Sequence, residues 1–160
     1  MLQVARLAPN LLGQASSRIV EFIQARQNPD GGIADRAGQS DLYYTVFGLE
    51  GLLALRAPLN AEVFQAYLDG FGDGADLDFV HTACLARCWA SLPEKGLNPD
   101  RAQVLADRLE ACRCADGGYG PAPGAAHGTV YHSFLALGAY EDLGLTAPDL
   151  PGLVHCVAGL

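Results

Sequence analysis

Three stretches of the 160-residue chain set imidazole, thiol, carboxyl and phenol groups at helical spacing. In "DFVHTACLARC", His81, Cys84 and Cys88 stand at i, i+3 and i+7 and share one face of a helix. Imidazole and thiolate are zinc donors, and His132 or Asp78 is available as a further ligand from a neighbouring helix. Positions i and i+7 lie about 10 Å apart along a helix axis. That is too far for both to reach one ion at roughly 2.0–2.3 Å, so His81 with Cys84 is the tighter pair. The competing view makes Cys84 and Cys88 small core residues between packed helices. Tyr131 and His132 are adjacent and form the strongest pair for ligation or acid–base work. Tyr43, Tyr44, Phe47, Phe134 and Trp89 add aromatic faces that suit an allylic cation, or equally fill a core.

The elements that must position these groups recur. With Thr45, Thr82 and Ser133 in register, "DLYYTVFGL", "DFVHTACLA" and "TVYHSFLAL" align. One position earlier stand Tyr44, His81 and His132, which are expected to face one central space. Four positions earlier stand Asp41, Asp78 and Thr129. Between these apolar helices lie amphipathic ones. "SSRIVEFIQARQ" carries Ile19, Phe22 and Ile23 on one face. "NAEVFQAYLDG" opens on Asn60 as N-cap, and "NPDRAQVLADRLEAC" opens on Asn98 with Pro99 at the first helical position.

"PDGG" and "ADGG" precede the first and third apolar helices. Their glycines suit helix-ending turns, and Asp30 and Asp116 cap them. No segment alternates with period two, so the fold class is all-α, one domain over 1–160. The helical hairpins run about 14–55, 60–92 and 98–144, with a last helix at 149–160. Three hairpins and a lone helix leave an open edge, as a fragment or an associating subunit would.

The net charge of −8 opposes nucleic acid and anionic membrane surfaces. No apolar run reaches the ~18 residues of a membrane span. "MLQVARLAPNLLGQASS" lacks the charge and apolar run of a signal peptide. Five cysteines off any framework spacing point to a reducing, cytoplasmic setting. Cys112 and Cys114 form Cys-x-Cys, a weak metal signal beside a packing role.

Gln27, Pro29, Asp30, Gly31, Gly32, Asp41, Tyr43, Thr45, Gly48 and Leu49 resemble the α/α-toroid superfamily of protein prenyltransferase β subunits and squalene or terpene cyclases. A second copy runs through Cys112, Asp116, Gly117, Gly118, Tyr131, His132 and Ser133, with Arg113 in place of glutamine and Thr129 in place of aspartate. The likeness covers about Arg18 to Leu145. It implies a partial toroid, about half a barrel, completed by a partner subunit or a second half.

The resemblance further implies a prenyltransferase-like transferase handling an isoprenoid diphosphate. Tyr43, Tyr44, Phe47, His81 and Phe134 would line its cavity, and His132 with Tyr131 would be catalytic. For zinc it places Asp78 at the family's aspartate and His132 at its histidine, with Val80 at its cysteine; Cys84 is the nearby sulfur. The family histidine of the first copy is Tyr44. "ADLDF" falls short of the cyclases' Asp-x-Asp-Asp acid. Arg87, Lys95, Arg101 and Arg113 are too scattered to make a diphosphate cluster. The alternative is a non-catalytic interaction module on the same scaffold.

Overall fold

The computed structural model describes residues 8–92 and 97–159; Arg6, within the N-terminal stretch weighed as a leader, and Lys95 lie outside the described residues. Eight helices are found among them: α1 Ala8–Leu12, α2 Ala15–Gln24, α3 Leu42–Ala54, α4 Ala61–Asp69, α5 Phe79–Ser91, α6 Pro99–Glu110, α7 Val130–Asp142 and α8 Leu150–Ala158. Only isolated bridges, Gln27 with Ile33, Ala34 with Ser40 and Arg113 with Tyr119, pair extended backbone. The chain is all-α. None of these helices is long and apolar enough to cross a membrane.

The chain divides into two compact units, residues 1–70 and 71–160. In the first, α2 packs on α3. Asp41 caps α3 by accepting the Tyr44 N–H at 3.2 Å, and Asn60 caps α4 through the Val63 N–H at 3.4 Å. These side chains satisfy helix-end donors that would otherwise be orphaned. Leu42, Leu49, Phe64 and Leu68 are almost wholly buried. Burial of such side chains stabilises by roughly 1.5–3 kcal/mol each. The apolar face of α2 is less enclosed than its periodicity suggests, with Phe22 62% exposed.

In the second unit α5 is central and packs against both α6 and α7, while α8 packs on α7. That placement explains why α5 is apolar nearly all round: Leu85, Ala86 and Trp89 are fully buried. Asp78, Asn98, Thr129 and Asp149 cap α5, α6, α7 and α8. The Asn98–Pro99 start of α6 lies where the sequence puts it. Arg101 stacks 3.9 Å from the centre of the Trp89 ring.

Candidate functional site: the cap ends of α3, α5 and α7

The two Asp-Gly-Gly turns are the same object built twice. Gly31 and Gly117 take φ of +98° and +87°, a region that side chains rarely adopt. Asp30 accepts the Gly32 N–H at 3.0 Å and the Ser40 hydroxyl at 2.7 Å; Asp116 accepts the Gly118 N–H at 3.1 Å and the Gly128 N–H at 2.9 Å. Each aspartate thereby ties its turn to the residue just before the next helix cap. The backbone donors of Gly128 and Gly118 hold the Asp116 carboxyl below the usual range. Both aspartates are structural.

Each turn also rests on the helix beyond the one it leads into, α4 for the first turn and α8 for the second. A Cβ added to Gly31 would stand 2.3 Å from the Val63 carbonyl oxygen, and one on Gly117 would stand 2.5 Å from the Gly152 carbonyl carbon. Val63 and Gly152 are the third residues of α4 and α8. The hydroxyl in register receives the strand that leaves the turn: Ile33 donates to Thr45 Oγ1 at 2.9 Å, and Tyr119 donates to Ser133 Oγ at 3.1 Å. Where the first copy has Gln27 and the second has Arg113, both side chains donate to the turn carbonyl, of Gly31 at 3.1 Å and of Gly117 at 2.9 Å. Arginine replaces glutamine here without losing the bond.

Helix α5 has the cap and hydroxyl but not the turn. Thr82 Oγ1 donates to the Asp78 carbonyl at 2.8 Å, as Thr45 Oγ1 donates to that of Asp41 at 2.7 Å. The segment ahead of α5, residues 70–77, is too short to fold back as 25–40 and 111–128 do. A cleft of about 660 Å³ opens there, lined by Leu77, Phe79 and Thr82 of one wall and by Val104 and Arg108 of α6 among others.

The histidines follow the caps. His81 Nδ1 lies 2.8 Å from Asp78 Oδ1, and His132 Nδ1 lies 2.7 Å from Thr129 Oγ1. One cap side chain in each copy thus fixes an imidazole at the third helical residue. Tyr44 occupies this position in the first copy. The Asp78 carboxyl sits below its usual range: partial burial pushes it up, and bonds from His81 outweigh that. His132 packs edge-on against Phe79 at 5.3 Å and Tyr131 at 5.4 Å between ring centres. Tyr131 and Phe134 are about half exposed, as are Tyr43 and Phe47. Tyr44 and Phe47 line a separate cleft of about 230 Å³ in the first unit, with Phe22, Arg26 and Arg36. Trp89 lines neither cleft; it lies in the core beneath Arg101.

The zinc donors implied by the resemblance meet this geometry in part. Asp78 and His132 stand at the cap ends of neighbouring helices, but Val80 offers no donor atom. Cys84 and Cys88 are buried within α5. Among the described residues, no three His, Cys, Asp or Glu side chains group closely enough to hold a metal ion. The donor set present does not fit a three-ligand zinc centre. Burial raises the thiols of Cys112 and Cys114 above their ordinary range.

The most connected polar cluster is one that sequence reasoning missed. Glu110 Oε2 accepts the hydroxyls of Tyr119 and Tyr140, each at 2.8 Å, and Arg113 pairs with the same carboxylate. Arg113 also lies over the Tyr119 ring at 4.6 Å. Burial pushes the Glu110 carboxyl up, and the bonds from Arg113 and both tyrosines more than offset it, leaving it lowered. Tyr140 is pushed up to about 12, chiefly by burial, and Tyr119 is raised as well. Both phenols stay protonated donors. Glu110 and Arg113 are one helical turn apart, which was a signal in the sequence; the two tyrosines come from afar and gave none.

No family model, no curated protein and no solved structure matches the chain.

Proposed function

We propose that the chain is a non-catalytic interaction module built from prenyltransferase-type α/α-toroid repeats. The carrying observation is the state of its charged groups. Of the arginines weighed for a diphosphate, Arg113 is held by Glu110, Arg101 is stacked on Trp89 and Arg87 lies 3.9 Å from Asp142. Arg108, beside the larger cleft, pairs with Asp73. Groups committed to structure in this way are poorly placed to meet an incoming diphosphate. The recurrent turn, hydroxyl and cap geometry supports the toroid-type repeat, and a second half or partner subunit would complete it.

A second reading keeps the prenyltransferase-like enzyme. It is favoured by His132, whose Nδ1 is held by Thr129 while the ring packs between Phe79 and the half-exposed Tyr131. A held Nδ1 leaves Nε2 as the working nitrogen for a proton. In that reading Tyr43, Tyr44, Phe47, His81 and Phe134 line the isoprenoid site.

Metal analysis of the purified chain, with calorimetric titration of geranyl diphosphate, separates the two. The module reading expects a metal-free protein that gives no binding heat. Stoichiometric zinc that is lost in His132→Ala, together with saturable diphosphate binding, would establish the enzyme instead.

A further inference from the structure

In both turn-bearing copies a hydroxyl at the start of a helix receives one backbone N–H, and the residue that gives it, Ile33 or Tyr119, is buried. Helix α5 is prepared in the same way. Asp78 caps it, and Thr82 Oγ1 donates to the cap carbonyl. Thr82 is 3% exposed, yet it accepts a hydrogen bond from no described residue. It lines the cleft of about 660 Å³, whose apolar walls include Leu77, Phe79, Val104 and Pro121. A threonine hydroxyl has acceptor capacity beyond its single donated bond. Thr82 borders the cleft and is itself nearly inaccessible to water, so a bond to it gains from exclusion of water.

We propose that this cleft binds an extended peptide segment of a partner protein. Its backbone N–H donates to Thr82 Oγ1, and its adjoining apolar side chain takes the place that Ile33 and Tyr119 fill in the other copies. The chain itself supplies the template, Gly-Gly-Ile-Ala at 31–34 and Gly-Gly-Tyr-Gly at 117–120. Main-chain bonds with one side-chain pocket are a recurring way to hold peptides. Charge narrows the partner. Asp78 and Asp107 line the cleft, and Arg108, the one cation among its described lining residues, is already paired with Asp73. Neutral or basic segments suit it, and acidic ones are repelled.

The inference stands on the comparison of copies and holds whether the chain is a module or an enzyme. Zinc and diphosphate measurements decide that question; a peptide titration decides this one. The ¹⁵N-labelled chain is titrated with acetyl-Gly-Gly-Ile-Ala-amide while amide shifts are followed. Saturable shifts are expected at Asp78, Thr82 and Ala111. The ester analogue, with the isoleucine N–H replaced by oxygen, is expected to bind about tenfold more weakly. Thr82→Ser should retain binding and Thr82→Val should lose about tenfold. Equal affinity for amide and ester on the unmodified chain would overturn the proposal whatever the variants do. So would the absence of saturable shifts at about 5 mM peptide.

Discussion

The first and third copies differ at nearly every side chain that looks chemical and agree at nearly every bond that holds the turn. Gln27 corresponds to Arg113, Tyr44 to His132 and Asp41 to Thr129. The glycine conformations, the aspartate bond to the second glycine of the turn and the N–H to the buried hydroxyl are nonetheless the same. The middle copy inverts this, keeping cap, imidazole and hydroxyl while lacking the turn. Architecture in this chain therefore resides in backbone geometry and small polar groups, and the conspicuous side chains vary upon it.

The largest expected effect tests the claim that both turns are docked alike. Gly31→Ala and Gly117→Ala each put a Cβ at positive φ against helix backbone, that of α4 and that of α8. Each should lower stability by roughly 3 kcal/mol or more in urea unfolding, combining backbone strain with a clash. A change in only one would break the equivalence.

Next come the hydroxyls. Thr45→Val and Ser133→Ala each orphan a buried N–H, so each should cost about 1–3 kcal/mol. Thr82→Val orphans no turn donor and should cost less, under about 1 kcal/mol. Equal losses at all three sites would deny that the middle copy is different.

Arg113→Gln sharpens the contrast at the turn. It mimics Gln27 and should keep the bond to the Gly117 carbonyl while stripping Glu110 of its cation. The expected loss is about 1 kcal/mol, discounted because the Glu110 side chain is about a third exposed.

The smallest effect is on pH dependence. Glu110 is lowered on folding, so its contribution is complete above its unfolded value of about 4.3 and fades as pH falls through the lower folded value. Glu110→Gln should flatten the stability profile below about pH 4.5 and leave its shape near neutrality unchanged.

Much of this frame was legible in the sequence because caps and turns are local. Asn60, Asn98 with Pro99 and the two Asp-Gly-Gly segments announce themselves within a few residues, and the three hydroxyl registers align by eye. The all-α class followed from the same periodicity. The remainder depends on distance along the chain. Glu110 gathers Tyr119 and Tyr140 from two later elements, and no spacing rule joins them. Trp89 reads equally as a cavity or a core aromatic, and only the packing of α5 between α6 and α7 settles it as core. Among the candidate site residues, the link of His81 to Asp78 and of His132 to Thr129 follows from i, i+3 spacing at a helix start. The cleft beside Thr82 could not be read in advance, because it arises from residues that are absent.

Amide hydrogen exchange tests the central claim, that one buried hydroxyl ties each turn to its helix. In the unaltered chain the Ile33 and Tyr119 amides should both be strongly protected. Thr45→Val should release Ile33 alone, Ser133→Ala should release Tyr119 alone, and Thr82→Val should release neither. Free exchange of Ile33 and Tyr119 in the unaltered chain, or their release by Thr82→Val, would contradict it.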